Sequence, residues 1–204
     1  MRVLPYGERA VLAEPGDLEA VLALQRALAA APPTGVDEWV PAATTVLVRF
    51  DPARTTAARV VDALHTLAPV ASAATAATTI DVPVVYDGED LDDVAAFARC
   101  THDEVVARHT APTYTVAFCG FTPGFGYLAG GDPTLAMPRL ATPRTRVPAG
   151  SVAIADVFTG VYPTATPGGW RLLGHTAVAL WDAMRDPPAL LAPGTCVRFH
   201  AVDR

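Results

Sequence analysis

Lysine and asparagine are absent from this 204-residue chain, and all 15 of its basic residues are arginine. Without lysine there is no Walker-type phosphate lysine, no Schiff-base amine and no Ser–Lys catalytic pair. Glutamine occurs once, as Gln25, and serine twice, as Ser72 and Ser151. Chemistry is therefore left to Arg, Asp, Glu, Thr, Tyr, His and backbone groups. Cysteine is also scarce: Cys100, Cys119 and Cys196 are odd in number and lack CxxC spacing. That argues against a disulfide framework or a structural zinc site and fits a reducing compartment. Positive charge is in deficit, with a net charge of −6, so a nucleic-acid partner is not expected. The start, MRVLPYGERAVLAEPGD, lacks a signal-peptide apolar region, and no run of about 18 apolar residues follows. A cytoplasmic protein with no membrane partner is expected.

What is present is enough for a substantial core: 51% of residues are hydrophobic and 18% charged. Apolar and polar residues alternate clearly in the first part of the chain. Arg9–Glu14 reads as a strand. Asp17 is a good N-cap for a helix to about Ala30, with Leu18, Val21, Leu22, Leu24 and Leu28 on its apolar stripe. Val36–Pro41 and Thr44–Phe50 read as strands, Thr55–Leu67 as a helix, and Ala68–Thr79 as a small-residue connector. Thr79–Tyr86 reads as a further strand, which Pro83 pushes to a sheet edge. The order β-α-β-β-α-β is the split, ferredoxin-like pattern. Two short helices follow, one capped by Asp90 and one opened by the capping box Thr101-x-x-Glu104.

From Pro112 the helical period disappears. Short strands at Thr113–Cys119, Ser151–Asp156, Trp170–Trp181 and Cys196–Val202, separated by Gly/Pro turns, point to a β-barrel or sandwich. The expected fold class is α+β. Residues 1–88 form a small α/β domain, and residues 89–204 form a β-barrel domain with a leading helical pair.

Three segments of that second half have the composition of a site. Cys119–Pro133 carries five glycines with Phe121, Phe125 and Tyr127; aromatics on such a loop either plug the barrel or line a pocket. Met137–Ser151 carries Arg139, Arg144 and Arg146 within eight residues on a proline-stiffened segment. Their planar forks suit a carboxylate or phosphate, and surface ion pairs are the alternative use. Gly160–Thr176 has the turn Pro167-Gly168-Gly169 ahead of Trp170, and a regular strand there puts Arg171 and His175 on one face. No metal cluster is readable, and Asp81, Asp87, Asp132 and Asp156 are scattered.

The motifs GFTPGFGYL, PR-x3-PR-x-RVPAGS and YPT-x2-PGGW are long and ordered, and PYGERAVLAE, TTVLVRFDP and IDVPVVYDGEDLDDVA accompany them. Over its whole length the sequence resembles the family of bacterial B-type 5-oxoprolinase subunits. That family is also called allophanate hydrolase subunit 1, and it includes a sporulation-kinase inhibitor. The resemblance implies a cyclophilin-like barrel after the α/β domain. It implies a non-autonomous enzyme subunit, inactive alone. Its partners would be an allophanate hydrolase subunit 2 or C-type 5-oxoprolinase protein and a third 5-oxoprolinase subunit. The assembly would open 5-oxo-L-proline to L-glutamate with ATP and magnesium, held by this chain or by another subunit, and no cofactor would be attached covalently here. A Ser–Ser–Lys amidase site cannot come from a lysine-free chain. The family pattern has Arg where His175 stands and Pro where Gly126 stands. Two further roles come with the family: carboxyltransferase work on a urea-like amide, and regulation of a histidine kinase.

On this reading Arg139, Arg144, Arg146 and His175 serve catalysis by stabilising anionic intermediates. Backbone N–H groups near Gly124, Gly126, Gly168 and Gly169 assist. Phe121, Thr122, Pro123, Gly124, Phe125, Tyr127, Pro148, Ser151, Tyr162, Gly168, Gly169 and Trp170 bind substrate or partner. Arg144→Ala is then expected to stop ATP turnover while leaving the melting temperature nearly unchanged.

Overall fold

The structure is a computed structural model that describes residues 1–68, 70 and 79–203. The expected connector at 68–79 lies almost entirely outside the described residues. The chain divides into two compact units, Met1–Thr75 and Ala76–Arg204, so the division falls ahead of the expected one at residue 88.

In the first unit β1 (Arg2–Tyr6) and β2 (Ala10–Glu14) form a hairpin, followed by α1 (Leu18–Ala30), β3 (Val36–Pro41), β4 (Val46–Phe50) and α2 (Ala57–Thr66). Asp17 accepts the Ala20 N–H at 2.8 Å and Thr56 that of Arg59 at 3.4 Å. Each cap thus satisfies one of the donors left free at a helix start. The sheet order is β1-β2-β4-β3 with antiparallel neighbours throughout. β4 lies between β2 and β3, so the β2-α1-β3 unit is split as expected. Val21, Leu24, Leu28, Val60 and Leu64 from the helices cover Val11, Val46, Val48 and Phe50 of the sheet.

The place beside β2 is not filled by Thr79–Tyr86. It is filled by β1, which was not foreseen. A hairpin turned at Gly7 closes a far shorter loop than a strand returning after α2, so its pairing costs less chain entropy.

The displaced strand, β5 (Thr79–Val84), belongs to the second unit. After it come α3 (Leu91–Ala98), α4 (His102–Thr110), β6 (Tyr114–Cys119), β7 (Gly126–Ala129), β8 (Arg144–Val147), β9 (Ser151–Ala155), β10 (Phe158–Val161), β11 (Thr166–Gly168), β12 (Arg171–His175) and β13 (Cys196–Ala201). Seven of these strands form one sheet in the order β12-β9-β10-β7-β6-β13-β5, while β8 and β11 pair separately. β5 runs parallel to β13, with Pro83 opposite His200. The two edges of the order meet at Val85 and His175, whose N–H and C=O groups exchange two hydrogen bonds of 2.9 Å. The result is a nearly closed barrel. Val82, Val84, Val116, Leu128, Val152, Val161, Val197 and Phe199 fill one apolar core. Among the described residues no helix is long and apolar enough to cross a membrane.

The Thr101–Glu104 capping box forms as expected. Asp90 occupies the N-cap position of α3 but its side chain makes no cap hydrogen bond; its carboxylate is used elsewhere, as described below. The expected Trp170–Trp181 strand regularises only over β12.

His109, at the end of α4, is fully buried. The Tyr86 phenol, which burial keeps protonated, donates to Nδ1 at 2.6 Å. The Tyr114 hydroxyl donates to the His109 carbonyl at 2.9 Å, and the Phe199 ring lies 4.7 Å away. Burial lowers the His109 pKa to about 3, so the folded protein keeps the ring neutral while the unfolded chain takes up a proton near pH 6.5. Stability is therefore lost as pH falls below 6.5, and the loss levels off below the folded value. Between pH 7.5 and 5.5 this residue is expected to remove about 1 kcal/mol. Urea midpoints at the two pH values, compared with those of His109→Leu, check it: the variant should show a shallower decline.

Candidate functional site

The loop between β6 and β7 is tied by short backbone bonds, Thr122 N–H to Gly120 C=O at 2.8 Å and Phe125 N–H to Thr122 C=O at 3.0 Å. Phe121 has φ +68°, a backbone region costly for a bulky residue and frequent at binding sites. Its ring is 60% exposed and stands edge-to-face to Phe125 (5.4 Å) and Tyr162 (6.2 Å). Beneath it Phe125 makes T-shaped contacts with Tyr127, Tyr162 and Trp170 at 5.1–5.5 Å. Edge-to-face pairs at these separations are a favoured arrangement of ring quadrupoles, each contributing about 0.5–1.5 kcal/mol beyond area burial.

These rings enclose a cavity of about 70 Å³ lined by Phe121, Phe125, Tyr127, Arg139, Tyr162, Gly168, Gly169 and Trp170. That is the space of roughly two water molecules, enough for one polar group of a small ligand. All eight lining residues are among those singled out from the sequence.

Arg139 is the charged member. Met137 is bridged to Asp156 and the Leu140 N–H donates to the Gly169 carbonyl at 2.7 Å, so the backbone on both sides of Arg139 is anchored. The guanidinium carbon lies 6.0 Å over the Trp170 ring, and Nε is 4.0 Å from the Asp156 carboxylate. With the side chain 58% exposed, its donors remain open to a ligand. Tyr162 is buried, which raises its pKa. The phenol proton stays in place, available to a carbonyl or carboxylate oxygen. Gly168 makes this possible, because a Cβ there would lie 2.4 Å from the Tyr162 oxygen.

The other expected cations are not gathered here. Arg144 donates two 2.9 Å hydrogen bonds to Asp90, which is 5% exposed, and a 3.3 Å bond to Glu89. Asp90 also accepts the Leu172 N–H at 2.6 Å, and Arg171 lies 3.8 Å from it. Arg144 is therefore the counter-ion of a buried carboxylate that ties α3 to β8 and β12, and its charge is already matched. Arg146 is exposed on β8 and has no ion pair among the described residues. His175 sits at the far end of β12 from Trp170, about 16 Å along the strand at ~3.3 Å per residue. Its Nδ1–H donates to Asp87 at 2.8 Å at the barrel seam.

Thr122, Pro123 and Gly124 shape the turn under Phe121 without lining the cavity. Pro148 is exposed. Ser151 is buried, and its carbonyl accepts the Tyr162 N–H at 2.9 Å; it supports the Tyr162 strand and is no nucleophile of this cavity. Asp156 and Asp90 are the carboxylate partners of Arg139 and Arg144, and nothing local in the sequence marks either as such. Asp90 stands at a capping position, and Asp156 stands isolated in the sequence. Among the described residues, no three or more His, Cys, Asp or Glu side chains are grouped to hold a metal ion.

A guanidinium, a phenol donor and aromatic walls, with no nucleophile among the lining residues, suit binding and electrostatic stabilisation of a small anion or amide. Residues 1–191 match the family model of the carboxyltransferase domain, subdomains C and D. The chain belongs to that family. Over 123 residues this carboxyltransferase-family chain is 52% identical to the B-type 5-oxoprolinase subunit of Escherichia coli O157:H7, a match covering 59% of this chain and 56% of the relative. The chain thus spans a little over half the length of the curated relatives it matches. Among solved structures it is similar to TTHA0988, at 40% identity and TM-score 0.79, covering 96% of this chain and 40% of that one. It also shares its fold with a region of the Kluyveromyces lactis urea amidolyase, with TM-score 0.74 at 18% identity, covering 99% of this chain and 16% of that one.

Proposed function

We propose that this chain is the B-type subunit of an ATP-dependent 5-oxoprolinase and that its aromatic cavity holds the carboxylate or the lactam carbonyl of 5-oxo-L-proline. The observation that carries the reading is Arg139 over Trp170 beside the Tyr162 hydroxyl, in a cavity sized for one such group. The relatives named as B-type 5-oxoprolinase subunits supply the substrate class. ATP, with magnesium, supplies the phosphoryl group that activates the lactam carbonyl oxygen. One water would then add at the activated carbon as the C–N bond breaks, leaving an acyl phosphate, and a second water would release phosphate and L-glutamate. Arg139 offsets the negative charge of these species, and Tyr162 donates to an oxygen at the reacting end. The rings exclude water around both.

With no base or nucleophile in its lining, the cavity contributes half of a site, and C-type and third subunits complete it. A cytoplasmic location suits an ATP-consuming assembly. In the same reading the first unit is a ferredoxin-like sheet whose outer strand is β1, and the second is a cyclophilin-like barrel.

The test is ADP release by the reconstituted subunits with and without 5-oxo-L-proline. A stimulated rate that disappears when this chain is omitted supports the reading. Stimulation by a urea-like amide alone, in the presence of a biotin-carrying partner, replaces it with the carboxyltransferase reading. Absence of turnover together with inhibition of a histidine kinase replaces it with the regulatory one.

A further inference from the structure

The hairpin joining β9 to β10 turns in two residues, since Ala155 pairs with Phe158. Asp156, the first of the two, has φ +51°. A hairpin turn with positive φ at that position favours glycine. Aspartate tolerates it at a cost in backbone strain, and such strain collects at functional sites. Asp156 is also where the hairpin meets the segment ahead of β8. Its N–H donates to the Met137 carbonyl at 2.7 Å, and Met137 is buried in one cluster with Leu135, Ile154 and Leu173. Just beyond the turn, Phe158 stands edge-to-face to Tyr127 of the cavity wall, at 5.6 Å. Asp156 is therefore fixed with respect to the cavity, and what it adds over the glycine that the turn favours is a carboxylate.

That carboxylate lies 4.0 Å from Nε of Arg139, two residues along from Met137. The guanidinium thus has its Nε edge against Asp156 and one face over Trp170, at 6.0 Å. The edge left for a ligand is the terminal Nη1/Nη2 fork, which matches the two oxygens of a carboxylate. We propose that Asp156 is a positioning residue: it holds Arg139 by the Nε edge so that the terminal fork receives the carboxylate of the lactam substrate. The pair then selects 5-oxoproline over a lactam without a carboxylate. This rests on the oxoprolinase reading and narrows it, because Arg139 is assigned to the carboxylate rather than the carbonyl. Charge and orientation act in opposite directions here. Asp156 subtracts from the positive potential that draws an anion, so its removal would tighten binding if charge alone mattered. If it orients the fork, its removal frees a long side chain that must be ordered again on binding, and affinity falls.

Asp156→Gly suits the backbone of the turn, and an exposed ion pair adds little to stability, so this variant should melt like the parent. In proton–nitrogen correlation spectra of the full chain, the Arg139 Nε–H resonance is identified by its loss in Arg139→Ala. In Asp156→Gly it should move to the position of unpaired, exposed arginines. In the reconstituted subunits the KM for 5-oxo-L-proline should rise about three- to fivefold, the span of an exposed ion pair, with kcat within about twofold. The inhibition constant of 2-pyrrolidinone, the same ring without the carboxylate, should not change. Asp156→Asn keeps an acceptor for the Nε–H and tolerates positive φ, so it should recover part of the KM. An unmoved Arg139 resonance overturns the positioning role. So does a KM that stays level or falls in Asp156→Gly, or a rise matched by the 2-pyrrolidinone constant. No lactam-stimulated ADP release by the parent sinks the oxoprolinase reading instead, and the resonance then decides alone whether Asp156 holds the guanidinium.

Discussion

Replacing Arg144 by alanine is expected to destabilise the protein by about 3 kcal/mol, the low end of the cost of breaking a buried ion pair, because Arg171 remains 3.8 Å from the carboxylate. The carboxylate is Asp90, 5% exposed and held by two 2.9 Å bonds from Arg144 and one 2.6 Å bond from the Leu172 N–H. At about 2–4 °C per kcal/mol for a chain of this size the melting temperature should drop by at least ~6 °C. This reverses the expectation drawn from the arginine cluster alone, in which Arg144 served turnover and could be removed without thermal cost. Scanning fluorimetry decides between them. The double variant Asp90→Ala/Arg144→Ala should be less destabilised than the sum of the two single variants, because it leaves no buried charge unpaired. An Arg144→Ala protein that melts like the parent would mean that the ion pair contributes nothing to the link between α3 and the barrel.

Arg139→Ala should do the opposite, lowering 5-oxoproline-dependent ADP release of the assembled enzyme by about 100-fold or more at an unchanged melting temperature. The loss is that of one donor aimed at developing negative charge. Stability is spared because the side chain is 58% exposed and its pairing to Asp156 is long, at 4.0 Å; such surface pairs contribute about 0–1 kcal/mol. Arg139→Lys should recover only part of the rate, since an ammonium lacks the planar fork and stacks less well over Trp170. Full activity in Arg139→Ala would remove the cavity from the chemistry, whatever the assembly does.

The two arginines stand five residues apart in a repeated Pro-Arg and look equivalent in sequence, yet they have unlike roles. Arg139 lies between a bridge at Met137 and a bond at Leu140, and its head reaches the aromatic cavity. Arg144 opens β8, where a carboxylate 54 residues away receives it. His175 differs for a similar reason. Its strand is too long for Trp170 and His175 to serve one small cavity, and β12 delivers the histidine to the seam instead.

Features that depend on neighbours along the chain are legible in the residues alone. The stripe of α1, the alternation of β4, the Thr101–Glu104 box and the change of texture after Pro112 each follow from a local period or a cap, whose energetics act within a turn or a strand. The aromatic cavity was legible for the same reason, because its walls come from two glycine-rich loops dense in rings. The joining of distant segments is visible in the folded chain alone, and the fold accounts for four such cases. It placed β1 beside β2, moved β5 to the parallel edge next to β13, turned Asp90 from a helix cap into the partner of Arg144, and buried His109 under Tyr86. Such pairings depend on charge burial and chain entropy over long separations, and these leave no period in the sequence.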